Sequence, residues 1–91
     1  MRFSWDERKR RLNLKEHGLD FVDAPRVFDG PTFTFEDDRF AYDEQRFVTL
    51  GLLDGLAVSI VHTETSSRIQ VISFRKATRN EETILFKNLQ D

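Results

Sequence analysis

Residues 45–74 read QRFVTLGLLDGLAVSIVHTETSSRIQVISF and indicate the fold class. The stretch contains three runs rich in apolar and β-branched residues, a composition typical of strands in a sheet. Asp54-Gly55 separates the first two runs and is typical of a type I′ hairpin turn, while the polar residues 64–67 separate the second run from the third. Residues 31–35, PTFTF, also alternate with a period of two. The pattern predicts an antiparallel meander of three or four strands.

The turns also predict a register. A two-residue turn at Asp54-Gly55 places Phe47 opposite His62. A second turn at Thr65-Ser66 would place His62 opposite Ile69. We therefore expect one face of the sheet to carry Val48, Leu50, Leu52, Ala57, Val61, Ile72 and Phe74.

The other face is also largely apolar in this register, so we expect helices to cover both faces. Its residues are Phe47, Leu53, Val58, Ile60, Ile69 and Val71. His62 and Arg75 would share this second face, but about six residues apart along the strands, which is on the order of 20 Å.

Two short helices are predicted before the meander. Asp6 is placed as the N-cap of a helix that ends at Gly18, a residue suited to the left-handed position after a helix. Asp20 offers a second N-cap, and residues 21–28 have apolar side chains at helical spacing, with Pro25 tolerated only in the first turn. The residues before Asp6 could form a short strand.

A C-terminal helix is predicted to begin beside a cluster of cations. Thr78 and Glu81 have the spacing of a capping box, which predicts a helix over residues 78–89. The backbone amides at such a helix N-terminus favour an anion. The cations that would surround it are Arg75, Lys76 and Arg79. We interpret these cations as a candidate phosphate site. In the alternative interpretation they are solvated and pair with carboxylates such as Glu82, Asp54 or Asp91. Glu81 has its own alternative, in which it is a helix cap and not a catalytic acid.

Composition narrows the class of protein. Ninety-one residues predict a single domain spanning residues 1–91, of class α+β with helices on the faces of an antiparallel sheet. The absence of Cys excludes disulfides and thiolate-metal sites, and no apolar run suits a membrane span or a signal peptide, so a cytoplasmic location is expected. Net charge of −2 argues against a broad nucleic-acid surface, although a local basic pocket remains compatible with it.

The two histidines have competing interpretations. His62 follows an apolar run and could transfer protons at neutral pH, or it could be structural. His17 falls in the last turn of the first helix, where the helix dipole favours a protonated imidazole. Residues 8–11, RKRR, fit a solvated helix face, although they could also follow a phosphate backbone. With two distant histidines and no Cys, neither a zinc site nor another cofactor site is expected.

A set of residues spread over almost the whole chain is typical of one family. Its members are Phe3, Trp5, Asp6, Lys9, Asn13, His17-Gly18, Phe21, Ala24, Val27, Phe28, Glu44, Arg46, Gly51, His62-Thr63, Ile72-Ser73, Arg75-Lys76-Ala77-Thr78 and Glu81. In these residues the chain resembles the BrnT toxins of bacterial type II toxin–antitoxin systems. It departs from the family at Gln70 and near Thr65, where the family commonly has Arg.

The resemblance implies a fold similar to RelE-type ribonucleases, with two N-terminal helices, an antiparallel sheet and a C-terminal helix. It also implies a toxin that cleaves RNA and is neutralised by a BrnA-like antitoxin. The two proteins would form a 2:2 hetero-oligomer that represses its own operon, so operator DNA would be contacted only through the antitoxin.

A ribonuclease of this kind would use the 2′-hydroxyl of the RNA as the nucleophile and would need no metal. His62 is the first candidate for proton transfer and His17 the second, while Arg75 would stabilise the phosphate. The cations expected to position the strand are Arg46, Arg68, Lys76 and Arg79. The alternative is a non-catalytic module that binds a partner protein and acts in a repressor complex.

Overall fold

The computed structural model describes residues 1–38 and 44–89. In chain order the elements are β1 (Arg2–Ser4), α1 (Glu7–His17), a 3₁₀ turn (Phe21–Asp23), α2 (Ala24–Phe28), β2 (Phe33–Glu36), β3 (Phe47–Leu53), β4 (Leu56–Glu64), β5 (Arg68–Lys76) and α3 (Arg79–Leu89). The strands form one five-stranded sheet in the order β1-β5-β4-β3-β2. The α+β class and the positions of the N-terminal and C-terminal helices are therefore confirmed.

The sheet is larger and more mixed than the three- or four-stranded antiparallel meander predicted from the sequence. Strands β2 to β5 do form an antiparallel meander, but β1 adds a fifth strand that runs parallel to β5. Arg2 pairs with Arg68 and Ser4 with Gln70. The prediction missed this pairing because a three-residue strand carries no local signal that identifies a partner so far along the chain.

The register of the first hairpin is confirmed. Phe47 lies opposite His62, and Asp54 and Gly55 both have positive φ (51° and 85°), as a type I′ turn requires. The second register was wrong, because His62 lies opposite Val71 rather than Ile69. A longer turn, closed by the hydrogen bond from the Thr65 amide to the Arg68 carbonyl (2.9 Å), causes this shift.

A β-bulge in β5 moves the register by one further residue beyond the His62–Val71 pair. Val61 pairs with Ser73 and His62 with Val71, so Ile72 has no partner of its own on β4. The extra residue reverses the alternation of side chains along the rest of β5. Phe74 therefore lies on the same face as Val71, and its expected position on the opposite face was wrong.

The face of the sheet under α1 and α2 carries the first core. Its buried members are Phe21, Ala24, Val27, Val58, Ile60, Val71 and Phe74. Asp6 caps α1 through the amides of Arg8 and Lys9, and Gly18 ends this helix with a φ of 71°. Asp20 accepts a hydrogen bond from the Val22 amide, and Pro25 lies in the first turn of α2. These predicted caps and the N-terminal helical layer are confirmed.

Asn13 attaches α1 to the sheet. It is the buried residue of this polar helix, and its side-chain oxygen accepts a hydrogen bond from the Phe74 amide (3.0 Å). Its side-chain nitrogen donates to the carbonyls of Phe74 (2.7 Å) and Leu19 (3.0 Å). Because β1 pairs only with Arg68–Gln70, Asn13 satisfies backbone groups of β5 beyond the end of β1.

The opposite face carries a second core under α3. Its buried members are Val48, Leu50, Ala57, Ala77 and Leu85, with Leu52 and Val61 packed against them. Of the elements in the sheet, α3 contacts mainly β3 and β2. Both faces are thus covered by helices, as expected, but α3 lies over only part of its face. Among the described residues, no helix is long and apolar enough to cross a membrane.

Candidate functional site

The uncovered part of the α3 face runs along β5. Ile69, Val71 and Phe74 are buried, so Arg68 and Gln70 before the bulge and Arg75 after it are directed away from the first core. Without the bulge, Arg75 would lie on the opposite side of the strand from Arg68 and Gln70. We call the row Arg68, Gln70, Ser73 and Arg75 the open strip. It is a polar, partly exposed surface with a cation at each end.

Arg75 forms a bidentate ion pair with Glu81 of α3. Its Nη1 and Nη2 lie 2.8 and 2.9 Å from the two carboxylate oxygens, and Nη1 also donates to the Lys76 carbonyl (3.2 Å). These three bonds use three of the five guanidinium donors. The Nε–H and the second Nη2–H, which form one edge of the guanidinium, have no partner among the described residues. The Arg75 side chain as a whole is 31% exposed.

Glu81 also caps α3. Its carboxylate accepts a hydrogen bond from the Thr78 amide (2.9 Å), and the Thr78 hydroxyl accepts one from the Glu81 amide (3.2 Å), so the predicted capping box is confirmed. Burial by itself would raise the pKa of Glu81, but the hydrogen bonds from Arg75 and the Thr78 amide, with the Arg75 charge, bring the pKa below its ordinary value. The carboxylate is therefore ionised at neutral pH.

The other two cations of the cluster differ in their positions. Lys76 pairs in the ladder with Val58 of the first core, so it lies on the face opposite to the open strip. Arg79 is the first residue of α3 and is exposed. The structure thus brings Arg75, but not Lys76, to the α3 side. The partner of Arg75 is Glu81 rather than Glu82 or Asp54, and Asp91 lies outside the described residues.

A polar groove lies at the other end of the open strip. It has a volume of about 230 Å³ and is lined by Glu44, Gln45, Thr63, Glu64, Thr65, Arg68 and Gln70. Arg68 therefore contributes to this groove, as its predicted role in positioning a ligand would require. Arg46 precedes β3 and is half-buried, and its carbonyl accepts a hydrogen bond from the Asp37 amide (2.8 Å).

His62 is a core residue. Its side chain is 1% exposed, its Nε2 lies 2.7 Å from the Thr49 hydroxyl, and its ring contacts those of Phe28 and Phe47. Burial lowers the pKa of His62 to about 4, a contact with the Thr63 backbone offsetting only part of the effect. The contact with Phe28 of α2 places the ring on the face opposite to Arg75, so the expectation that the two share a face was wrong.

His17 and the basic segment of α1 also lie apart from the open strip. His17 is in the last turn of α1, half-exposed, with its Nε2 3.8 Å from a Glu16 carboxylate oxygen. Within residues 8–11, Arg10 is bound to the carboxylates of Glu7 and Asp20. The structure thus does not bring either histidine to Arg75.

Two features of the site were not predicted from the sequence. The capping box identified Glu81 as a cap. The local sequence did not show that Arg75 would face Glu81, because the bulge determines on which face of β5 the Arg75 side chain lies. The groove was missed because its residues come from three separate segments that only the folded sheet brings together. Among the described residues, no group of three or more His, Asp or Glu side chains could hold a metal ion.

Comparison with protein families gives one match. Residues 5–81 match the sequence model described as the ribonuclease toxin, BrnT, of a type II toxin–antitoxin system. The match includes all of α1 to β5 and the capping box of α3. Comparison with curated proteins gives no match.

Proposed function

The chain belongs to the BrnT family of ribonuclease toxins from type II toxin–antitoxin systems, and from this membership we propose that it is an endoribonuclease that cleaves single-stranded RNA laid along the open strip. The observation that carries the proposal is the unpaired edge of Arg75. A guanidinium held by a carboxylate on one side presents two parallel N–H donors on another, an arrangement that matches two phosphate oxygens.

The proposed reaction needs no metal. The 2′-hydroxyl of one nucleotide loses its proton, the 2′-oxygen attacks the adjacent phosphorus, and the bond from phosphorus to the 5′-oxygen breaks. The 5′-oxygen leaves with a proton from water, and the products carry a 2′,3′-cyclic phosphate and a 5′-hydroxyl. Arg75 stabilises the extra negative charge on the phosphate oxygens in the transition state. DNA lacks the 2′-hydroxyl and is not cleaved.

We propose that Glu81 is the general base that accepts the proton of the 2′-hydroxyl. This carboxylate contacts Arg75 directly and is ionised at neutral pH, so it can accept a proton beside the bound phosphate. His62 is too deeply buried for this role, and we give it a structural one. Because His17 lies on α1, across the sheet from the strip, it is not part of the proposed site. Arg68 and Arg79 are proposed to hold neighbouring phosphates, with Arg46 at the margin. Lys76 lies on the opposite face of the sheet and is not part of the proposed site.

The partner is proposed from the family as well. A toxin of a type II system is neutralised by an antitoxin protein, and we propose a BrnA-like antitoxin that forms a 2:2 complex and represses the shared operon. Operator DNA would be contacted by the antitoxin alone. Cleavage of cytoplasmic RNA would arrest growth when the antitoxin is absent.

The central test is Arg75→Ala in purified full-length protein. Loss of the guanidinium should lower the rate of cleavage of an unstructured RNA by about a hundredfold or more, because a transition-state contact of this kind is commonly worth a few kcal/mol. Arg75→Lys should restore only part of the rate, since it keeps the charge but loses the fork. Arg11→Ala is the matched control, because it removes an exposed arginine from α1.

Circular dichroism and antitoxin binding should remain unchanged in Arg75→Ala. Cleavage at the wild-type rate by this variant would contradict the assignment of Arg75. A wild-type protein that binds antitoxin, in a complex that binds the operator, but cleaves no RNA would instead favour the non-catalytic repressor module. The pH–rate profile tests the proton acceptor: with Glu81 as the base, the rate should show no inflection near the ordinary histidine pKa of about 6.5.

A further inference from the structure

The groove at the Arg68 end of the open strip has the wrong charge for binding phosphates alone. Two carboxylates, Glu44 and Glu64, line it together with a single arginine, Arg68. A site that only followed the RNA backbone would be lined mainly by cations, because each phosphate carries a negative charge. The side chains of Glu64, Arg68 and Gln70 form no ion pair or hydrogen bond with the parts of the chain that the structure describes. They are therefore available to a ligand.

The groove offers both kinds of hydrogen-bonding group in one concave space. Carboxylate oxygens accept hydrogen bonds only, whereas the Gln70 amide and the Thr63 hydroxyl can donate them. Thr63 and Gln70 are directly paired in the β4–β5 ladder, so their relative positions are fixed by the sheet. Single-stranded RNA is read through such groups, which bind the exposed edges of unstacked bases.

We propose that this groove binds one base of the RNA substrate and selects guanine. Guanine is the RNA base that presents two adjacent N–H donors on its pairing edge, N1–H and the N2 amino group, and these suit the two oxygens of one carboxylate. The neighbouring O6 is an acceptor for Gln70 or Thr63. Adenine, cytosine and uracil each present an acceptor beside a single donor group, which would leave a carboxylate oxygen facing an acceptor.

The distance between groove and cleavage site fits one continuous strand. Arg68 and Arg75 lie on the same side of β5, separated by seven positions with a bulge between them, which corresponds to a distance on the order of 20 Å. Several nucleotides span that distance. The inference rests on the proposed ribonuclease function, and it adds that the selected guanine lies several nucleotides from the cleaved bond, with its phosphate against Arg68.

The first experiment measures base preference. Full-length protein is incubated with a randomised RNA pool, and the cleavage sites are sequenced. We expect a guanine preference at one fixed position several nucleotides from the cut. Replacing that guanine by inosine, which lacks the N2 amino group, should lower the rate roughly tenfold to a hundredfold, whereas 7-deazaguanine should be cleaved normally.

The variants Glu64→Gln and Glu44→Gln, singly and together, remove the acceptor pairs. At least the double variant should lose the guanine preference while it still cleaves RNAs that lack guanine at that position. Asp29→Asn, which changes an exposed carboxylate after α2, is the control and should keep the preference. Cleavage without base preference, or a guanine preference that survives the double variant, would overturn the proposal.

A binding experiment separates this inference from the ribonuclease proposal. Titrating the ¹⁵N-labelled protein with GMP, AMP, CMP and UMP should shift the amides of Thr63, Glu64 and Gln70 with GMP most strongly, and the double variant should abolish the difference. That result without any RNA cleavage would keep the groove assignment and reject the proposed reaction. Equal shifts with all four nucleotides would reject the groove assignment even if RNA is cleaved.

Discussion

Arg75 illustrates how a single side chain acquires a defined geometry. Its ion pair with Glu81 and its bond to the Lys76 carbonyl fix the guanidinium plane before any ligand arrives. A free arginine side chain would lose about 2 kcal/mol of rotamer entropy when it becomes ordered. Part of that entropy is already lost in the folded protein, so the proposed binding of a phosphate at the remaining edge would cost less entropy.

His62 should make the stability of the protein depend on pH. Its pKa is about 4 in the folded state, below the ordinary value near 6.5, so the unfolded chain binds more protons between these two values. The free energy of unfolding should therefore fall as the pH drops from about 6.5 to 4, by on the order of 3 kcal/mol from this residue. Chemical denaturation at several pH values measures the slope.

The variant His62→Gln provides the comparison for that slope. It cannot titrate in this range, so its unfolding free energy should fall less steeply over the same pH interval, although the variant is less stable at neutral pH. Carboxylates contribute equally to both proteins, and their effect cancels in the difference. Identical slopes would show that His62 is not held in the neutral form by burial.

Asn13 should be among the most costly side chains of α1 to remove. Asn13→Ala leaves both the amide and the carbonyl of Phe74 without their side-chain partner, and each buried unsatisfied group costs about 1–3 kcal/mol. We expect the unfolding free energy to fall by at least about 2 kcal/mol. The matched control is Leu12→Ala, a half-exposed position on the same helix, which should change stability far less. Equal effects of the two substitutions would contradict the bridging role.

At the scale of elements, the β5 bulge and the capping box together build the Arg75 end of the open strip. The bulge directs Arg75 to the α3 side, and the capping box brings Glu81 into the first turn of α3. The capping box could be predicted from Thr78 and Glu81 because it is a local pattern. The bulge could not, because Val71 and Ile72 are both apolar and suit either face of the strand.

Thr78 should stabilise the protein through its cap. Thr78→Ala removes the acceptor for the Glu81 amide, and the unfolding free energy should fall by about 0.5–2 kcal/mol. Thr78→Ser keeps the hydroxyl and should be much less affected. Thermal melting of the three proteins tests this, and a melting curve of Thr78→Ala that coincides with wild type would exclude the cap contribution.

Gly51 allows α2 to lie close to β3. A Cβ atom at this position would be 2.6 Å from Cγ1 of Val27 and 3.2 Å from Cγ2 of Thr32. Gly51→Ala should therefore destabilise the protein by about 1–3 kcal/mol through overpacking. Val27→Ala alone should also lower the unfolding free energy. In the double variant the clashing atom of Val27 is absent, so the loss of unfolding free energy should be smaller than the sum of the losses in the two single variants. Strict additivity would show that the helix moves away instead.

For the molecule as a whole, sequence reasoning worked where the signal was local. The Asp54-Gly55 turn gave the first hairpin and its register, and Asp6, Gly18 and Asp20 gave the N-terminal helical layer. It failed where two distant segments decide the outcome. The addition of β1 to β5, the assembly of the groove and the burial of His62 between Phe28 and Phe47 all depend on contacts between separate elements.

The parallel pairing of β1 with β5 has a consequence for biosynthesis. Arg2 is translated 66 residues before its ladder partner, Arg68. Pairing segments so distant in sequence requires closing a long loop, which is a slow step in folding. The sheet edge beside Arg68 and Gln70 is thus completed late. Nascent chains that stop before β5 contain neither Arg75 nor Glu81, so under the proposed reaction an incompletely translated chain should not cleave RNA.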